Sequence, residues 1–518
     1  MPTKSDPQTF SALFSRYKYW LLIGLGIILL AAILRFVNLN SLPVFADESI
    51  YVRWSQVMRA EPTLRFLPLS DGKQPLFMWT VIPFLKFISD PLIAGRMLSG
   101  LIGLSTVVGV GVCGYLLFKN LRLSVSAALI WAVLPYSVFF DRMALADGML
   151  TAFIVWTFAF SLISFKHLRW DFSMLAGFAL GFAALTKSPA TFAAAMLPLL
   201  ALLGSDHPLT KKRLLISLGL LLTTYTLAFA MYNILRLGPE FHLIAIRNQD
   251  YLYPLSEFIK HPADPLIPHL KDSLGFYLYL VTPVGVILAA LGLIEGGLKH
   301  WRQRLLLTIW CLAPIVAMSA LAKTLTARYL YYTVPFVVIL ASHALWHFGD
   351  RTKKHFLSFS ALGLLVALSI GFDYFLITAP EKAPLPRIER SGYLEQWTAG
   401  QGIREAAAII RQAAASGPVL VGSEGFFGTP FSALQMYLND LPQVRVIGIG
   451  QNITAVDSKL TNSLTDNQVF FVANSSRILV SPETLNLEII SAYPKATNEN
   501  GDREYLIFAK VLPLSNKK

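Results

Sequence analysis

Pro75-Leu76-Phe77-Met78-Trp79-Thr80-Val81-Ile82-Pro83-Phe84-Leu85-Lys86-Phe87-Ile88 is the stretch on which the reading of the whole chain turns. Its fourteen residues fall short of the ~20 that a helix needs to cross a bilayer, and they include Pro75, Pro83 and Lys86. That content predicts an interfacial or re-entrant segment. Eleven other apolar runs are long enough to span, near 20–37, 92–118, 123–140, 148–165, 172–186, 189–204, 214–235, 274–297, 305–322, 329–347 and 356–376. If 75–88 does not cross, the clusters Lys119/Arg122, Lys166/Arg169, Lys211/Lys212/Arg213, Lys299/Arg302/Arg304 and Arg351/Lys353/Lys354 share the side of the basic N-terminus. That satisfies the positive-inside rule, and a crossing would move every cluster outside. The parity therefore predicts about eleven spans, a cytoplasmic N-terminus (1–19) and an outer C-terminus.

Composition agrees. Hydrophobic residues make up 54% and charged residues 14% of the chain, against about 25% charged in soluble proteins. The expected class is a polytopic α-helical membrane protein, integral to the cytoplasmic membrane. The first span is longer than a signal-peptide core, lacks a small-x-small cleavage site and is expected to remain as an anchor. Cys113 and Cys311 lie inside apolar runs and read as packing residues. Residues 20–378 form the expected transmembrane domain, with an outer loop at 38–91 carrying interfacial helices. From Ala379 the pattern changes to alternating helices and strands, which predicts an extracytoplasmic α/β domain over 379–518. This tail lacks a catalytic constellation and is expected to aid acceptor access or stability.

Two glycine motifs invite a functional reading and do not sustain it. Gly109-Val110-Gly111-Val112-Cys113-Gly114 fits G-x-G-x-x-G, but it lies inside an apolar run with no strand before it, so close helix packing explains it better. Gly422-Ser423-Glu424-Gly425 reads as a strand-to-helix turn rather than an anion cradle.

Ionisable residues avoid the middle of the spans and gather at the outer face, unlike the midplane polar sites of transporters. Asp47-Glu48 follows the first span and precedes a half-apolar segment, Tyr51–Met58, suited to an interfacial helix. In Asp71-Gly72-Lys73-Gln74-Pro75 a glycine turn presents Lys73. Arg142 and Asp147 flank another outer turn, and Lys187 and Arg328 supply cations. Each has a plain alternative: Asp47 or Asp147 as a helix cap, Lys187 or Arg328 as a side chain snorkelling to headgroups.

In order and content these clusters resemble the GT-C membrane glycosyltransferases, in particular the family of the lipid A aminoarabinose transferases and protein O-mannosyltransferases. The resemblance runs over about 20–345 and rests on Asp47-Glu48, Lys73-Gln74-Pro75-Leu76-Phe77-Met78-Trp79, Arg142 to Asp147, Thr186-Lys187-Ser188, and Arg328-Tyr329 with Pro335. The chain departs from the family pattern at Gln74, usually proline, at Ser188, usually glycine, and around Phe241-His242. The resemblance implies inverting transfer of a sugar from a polyprenyl-phosphate donor to a lipid, glycan or protein acceptor at the outer face. Asp47 would be the general base, with Glu48 and Asp147 assisting. Lys73, Lys187 and Arg328 would bind the donor phosphate, and Arg142, Tyr329 and His242 would contact substrate. No cofactor or resident metal is required and no nucleic-acid partner is expected; a divalent cation would draw on Asp47, Glu48, Asp147 and His242. A ligase moving a whole glycan would share the layout but release a polyprenyl diphosphate, and a transporter would bind substrate without a covalent product.

Overall fold

The structure, a computed structural model, describes residues 10–513 apart from 205–207, 209, 296, 298 and 482–483. The first nine residues of the expected cytoplasmic segment lie outside the described residues, and helix α1 (Phe10–Phe36) begins ahead of the expected span. The chain then turns through 37–43 into a two-residue strand, β1 (Val44–Phe45), and α2 (Ala46–Ala60). Two short 3₁₀ turns lead to α3 (Leu76–Phe87). At 12 residues α3 is about 18 Å long, well short of the ~30 Å hydrocarbon layer.

There follow α4 (Pro91–Phe118), α5 (Leu121–Val133), α6 (Pro135–Asp141), α7 (Ala146–His167), α8 (Trp170–Thr186), α9 (Ala190–Leu203) and α10 (Lys211–Tyr232). The long loop after α10 carries α11 (Leu243–Tyr251) and α12 (Leu255–Lys260) before α13 (Leu266–Leu280), α14 (Pro283–Ile294), α15 (Trp301–Leu321), α16 (Val334–Thr352) and α17 (His355–Thr378). Among the described residues seven helices are long and apolar enough to cross a membrane, or nine if the bent pairs α5–α6 and α13–α14 each count as one. The other two expected spans are α8 and α9, apolar helices of 17 and 14 residues. The expected runs thus all appear as helices, while length and composition by themselves do not reach eleven crossings.

Buried arginines organise the end of the bundle where α1 leaves it. Helix α1 ends with orphan carbonyls, which need donors. Arg142 supplies them, with Nη1 donating to Leu34 O and Val37 O at 2.8 Å each and Nη2 to Asn38 O at 2.7 Å. Arg96 donates to Leu42 O and Pro43 O at 2.9 Å each, and Arg35 bonds Asp141 at 2.9 Å. The loop from α1 to α2 is thereby held against α4 and α6. The glycines of the G-x-G-x-x-G match serve packing: a Cβ on Gly109 would overlap Val155, and one on Gly114 would press on Leu123.

The tail is a five-stranded sheet in the order β4 (Val444–Gly448), β3 (Val419–Ser423), β5 (Gln468–Asn474), β7 (Arg503–Val511), β6 (Leu487–Thr497), preceded in the chain by β2 (Ala399–Gly400). Strands β3, β4 and β5 are parallel, and β6 and β7 form an antiparallel hairpin. Glu424 occupies its own turn, accepting from Asn474 Nδ2 at 2.7 Å, so that turn is filled by a carboxylate rather than open to an anion. The tail is joined to the helical domain through backbone: Val44 and Phe45 pair antiparallel with Gly400 and Ala399, and Ala46 N–H donates to Thr398 O.

Candidate active site

Helix α2 starts with Phe45 as its N-cap, and Phe45 offers no side-chain acceptor. Glu48, three residues on, reaches back and accepts the Phe45 N–H at 3.0 Å. It also accepts from Arg96 Nε at 2.8 Å and Nη2 at 2.7 Å, and from Ala144 N–H at 2.7 Å. Its two oxygens are thus saturated and fully buried. Glu48 is expected to assist the chemistry, and the structure places its carboxylate as the link that holds α2, α4 and the 141–145 turn together.

With that capping position filled, Asp47 points elsewhere. It lines a cavity of about 280 Å³ and accepts from Arg328 Nη1 at 2.5 Å, with Lys73 Nζ at 3.6 Å. Burial pushes the Asp47 pKa up, but Lys73, Arg328 and Lys187 outweigh it and hold the carboxyl well below the usual carboxylate range. Lys73 is delivered by Gly72, which closes the preceding 3₁₀ turn at φ +63° and lies so close to Leu243 O and Arg247 Cβ that any side chain there would collide. The Lys73 ammonium sits over Tyr51, 5.2 Å from the ring centroid, and 3.2 Å from Asp71.

Lys187 leaves the end of α8 in extended backbone and bonds Asp147 Oδ1 at 2.6 Å, its ammonium over the Tyr329 ring at 4.9 Å. Asp147, expected to assist Asp47, likewise caps nothing; it is buried behind the cavity and holds Lys187. Arg328 lies between the Phe45 and Tyr329 rings, at 5.4 and 5.3 Å. Asp47, Lys73, Lys187, Arg328 and Tyr329 therefore share one wall-to-wall site. Two expected substrate contacts fall outside it: Arg142 is consumed by α1 carbonyls, and His242 sits at the start of α11 with its side chain 65% exposed and Glu240 4.0 Å away. Asp47, Glu48, Asp147 and His242 do not converge, and no group of three metal-ligating side chains is found among the described residues. The four do not fit as a divalent-cation site.

Arg247 and Glu389 escaped sequence reasoning, as did the contact between Gln74 and Ser188. Arg247 on α11 lines the cavity and bonds Asp71 at 3.4 Å. Gln74 Nε2 donates to Ser188 Oγ at 2.8 Å, so two departures from the family pattern touch each other in the cavity wall. Glu389, from the tail, accepts the Ala327 N–H at 2.7 Å directly before Arg328, while its second oxygen is buried without a partner among the described residues. Burial pushes the Glu389 carboxyl up to about 7 against the opposing pull of that N–H and of Arg328. Nothing local in Arg387-Ile388-Glu389-Arg390 marks it out; only the packing does.

Comparison with known structures decides the architecture. A crystal structure of ArnT from Cupriavidus metallidurans in the apo state superposes with a TM-score of 0.60 at 16% identity, covering 95% of this chain and 98% of that one. The same protein bound to undecaprenyl phosphate gives 0.61 at 16% identity with the same coverage. The chain has the ArnT fold. The likeness to ArnT includes the tail, since nearly the whole of both chains is matched, and it agrees with the expected GT-C architecture and its C-terminal domain. Residues 66–236, which hold Lys73, Asp147 and Lys187, match the family model described as dolichyl-phosphate-mannose-protein mannosyltransferase. No curated protein matches the sequence.

Proposed function

We propose that the chain transfers a sugar from a polyprenyl-phosphate donor to a hydroxyl- or phosphate-bearing acceptor at the outer face of the membrane. The observation that carries this reading is the set of cations in the cavity wall: Lys73, Lys187, Arg247 and Arg328 line it with Asp47, while Asp71 and Asp147 hold three of them from behind, and Phe192, Met318 and Leu321 line its apolar side. Such a site suits a phosphate attached to an apolar chain. The family description and the undecaprenyl phosphate held by ArnT support the same donor class.

In the proposed reaction the bond between the anomeric carbon and the phosphate oxygen breaks as the acceptor oxygen attacks from the opposite face, with inversion. The leaving polyprenyl phosphate gains a negative charge, which Lys73, Lys187 and Arg328 stabilise. Asp47 takes the acceptor proton. Lys73, Arg328 and Lys187 hold the Asp47 carboxyl below its ordinary range, which weakens it as a base. A donor phosphate would draw those cations toward itself and restore basicity, coupling base strength to donor binding. The expected topology puts this cavity outside and the basic loops inside.

Donor affinity and sugar-transfer rate of Asp47→Asn and Lys73→Met in nanodiscs test the roles. Asparagine keeps the shape of the side chain, so Asp47→Asn is expected to bind donor and lose roughly a hundredfold or more in turnover. Lys73→Met is expected to weaken donor binding. A normally active Asp47→Asn enzyme would remove the base assignment.

A further inference from the structure

A second cationic cavity lies at the other end of the bundle. Helix α4 runs from Arg96, beside Glu48, to Phe118, 22 residues or about 33 Å further along. There, with the ends of α5 and α16, it bounds a cavity of about 540 Å³ lined by Lys119, Arg122, Lys299, His300, His343 and His347. Asp350 is the one acidic residue among its described lining residues, and it faces Arg122 at 4.0 Å and His355 at 3.8 Å. His343 is 3% exposed, and its ring stacks on Phe118 at 4.4 Å and 13°. Its Nε2 is buried without a hydrogen-bond partner among the described residues.

Lysines and arginines at this end are what a membrane topology demands, and by themselves they need no ligand. That demand does not extend to a buried imidazole nitrogen or to cations gathered around a concavity. A buried polar atom left unpaired costs about 1–3 kcal/mol, and a ligand acceptor at Nε2 would remove that cost. Trp20, Tyr115 and Trp346 also line the cavity, the residue types that favour the lipid–water boundary.

We propose that this cavity binds a phosphate anion, carried by the head group of an anionic lipid or free in solution. Arg122 and Lys299 supply charge-assisted contacts and His343 an N–H donor. The site is separate from the Asp47 cavity and independent of the reaction proposed for it.

Native mass spectrometry of the full-length protein in detergent tests this with three probes: phosphatidylglycerol, phosphatidylcholine and inorganic phosphate. The wild type is expected to retain one phosphatidylglycerol in preference to phosphatidylcholine. Arg122→Gln/Lys299→Gln and, separately, His343→Phe, which keeps the ring against Phe118, should each weaken that retention about tenfold. Lys211→Gln/Lys212→Gln, exposed basic residues outside the cavity, should not. If inorganic phosphate binds with the same dependence on Arg122, Lys299 and His343 and no lipid is preferred, the ligand is free phosphate. Equal retention by wild type and cavity variants, or equal loss in the Lys211/Lys212 control, would overturn the proposal.

Discussion

At the scale of single residues, the cavity wall holds a pair that reading each position alone cannot see. Gln74 and Ser188 each depart from the resembling family, and the hydrogen bond between them makes the departures one change. A double-mutant cycle with Gln74→Ala and Ser188→Gly should return a coupling of about 1 kcal/mol in thermal stability, because whichever partner remains is left unsatisfied in a partly buried wall. Additive effects would dissolve the pair. Glu389 makes a second residue-scale prediction. Its pKa is raised from the ordinary 4.5 to about 7, so the folded chain holds a proton that the unfolded chain releases between those values. Its contribution to stability is therefore present at low pH and lost as pH rises through 7. Glu389→Gln keeps the acceptor for Ala327 and cannot ionise. The melting temperature of the variant should gain on the wild type between pH 4.5 and 7 and hold a constant lead above that; parallel curves would place the proton elsewhere.

At the scale of elements, α2 carries the active-site geometry, and Arg96 and Glu48 carry α2. Both are fully buried, and their guanidinium–carboxylate contact joins the start of α2 to α4. Replacing a buried ion pair can be neutral, whereas breaking one leaves a bare charge and costs roughly 3–5 kcal/mol. Arg96→Met is accordingly expected to lower thermal stability strongly and to abolish turnover through misplacement of Asp47. Glu48→Gln, which keeps part of the hydrogen bonding, should cost less of both. Calorimetry beside transfer rates checks the order. A stable, inactive Glu48→Gln protein would instead return that carboxylate to the chemistry.

At the scale of the molecule, the tail is part of the site's support. β1 pairs with β2, Phe45 packs on Tyr393 with ring centroids 4.3 Å apart, Gln56 bonds Met436 O at 3.0 Å and Glu389 holds the segment before Arg328. Chain ending at Ala379 is therefore expected to lose both stability and donor turnover, although the tail contributes no side chain to the described cavity wall. Retained turnover would show the two parts to be independent. The membrane orientation is tested with cysteines at exposed sites, Lys260→Cys and Arg351→Cys, since Cys113 and Cys311 are buried and screened from reagent. An impermeant thiol reagent should label position 260 from outside and position 351 only after permeabilisation. The reverse would invert the topology and move the Asp47 cavity to the cytoplasm.

The helical class, the helix behind each apolar run, the short Pro75–Ile88 segment and the alternation of helices and strands in the tail were determined by the sequence alone; the order of the strands in the sheet was not. Span length, proline, charge bias and residue alternation are local properties, and the bilayer and the backbone act on them locally. Three of the four cations in the described cavity wall were legible for a related reason: Lys73, Lys187 and Arg328 stand in short turns beside apolar runs, where few roles compete. Which carboxylate faces them was decided by tertiary structure. Asp47 and Glu48 are adjacent and chemically alike, and only the arrival of Arg96 from α4 and of the Ala144 N–H from the 141–145 turn consumes one and leaves the other to the cations of the cavity. Arg142 was lost to α1 carbonyls, and Glu389 was recruited from 61 positions beyond Arg328 in the chain. Hydrogen-bond saturation in a buried site depends on partners distant in sequence, and no spacing within a motif records them.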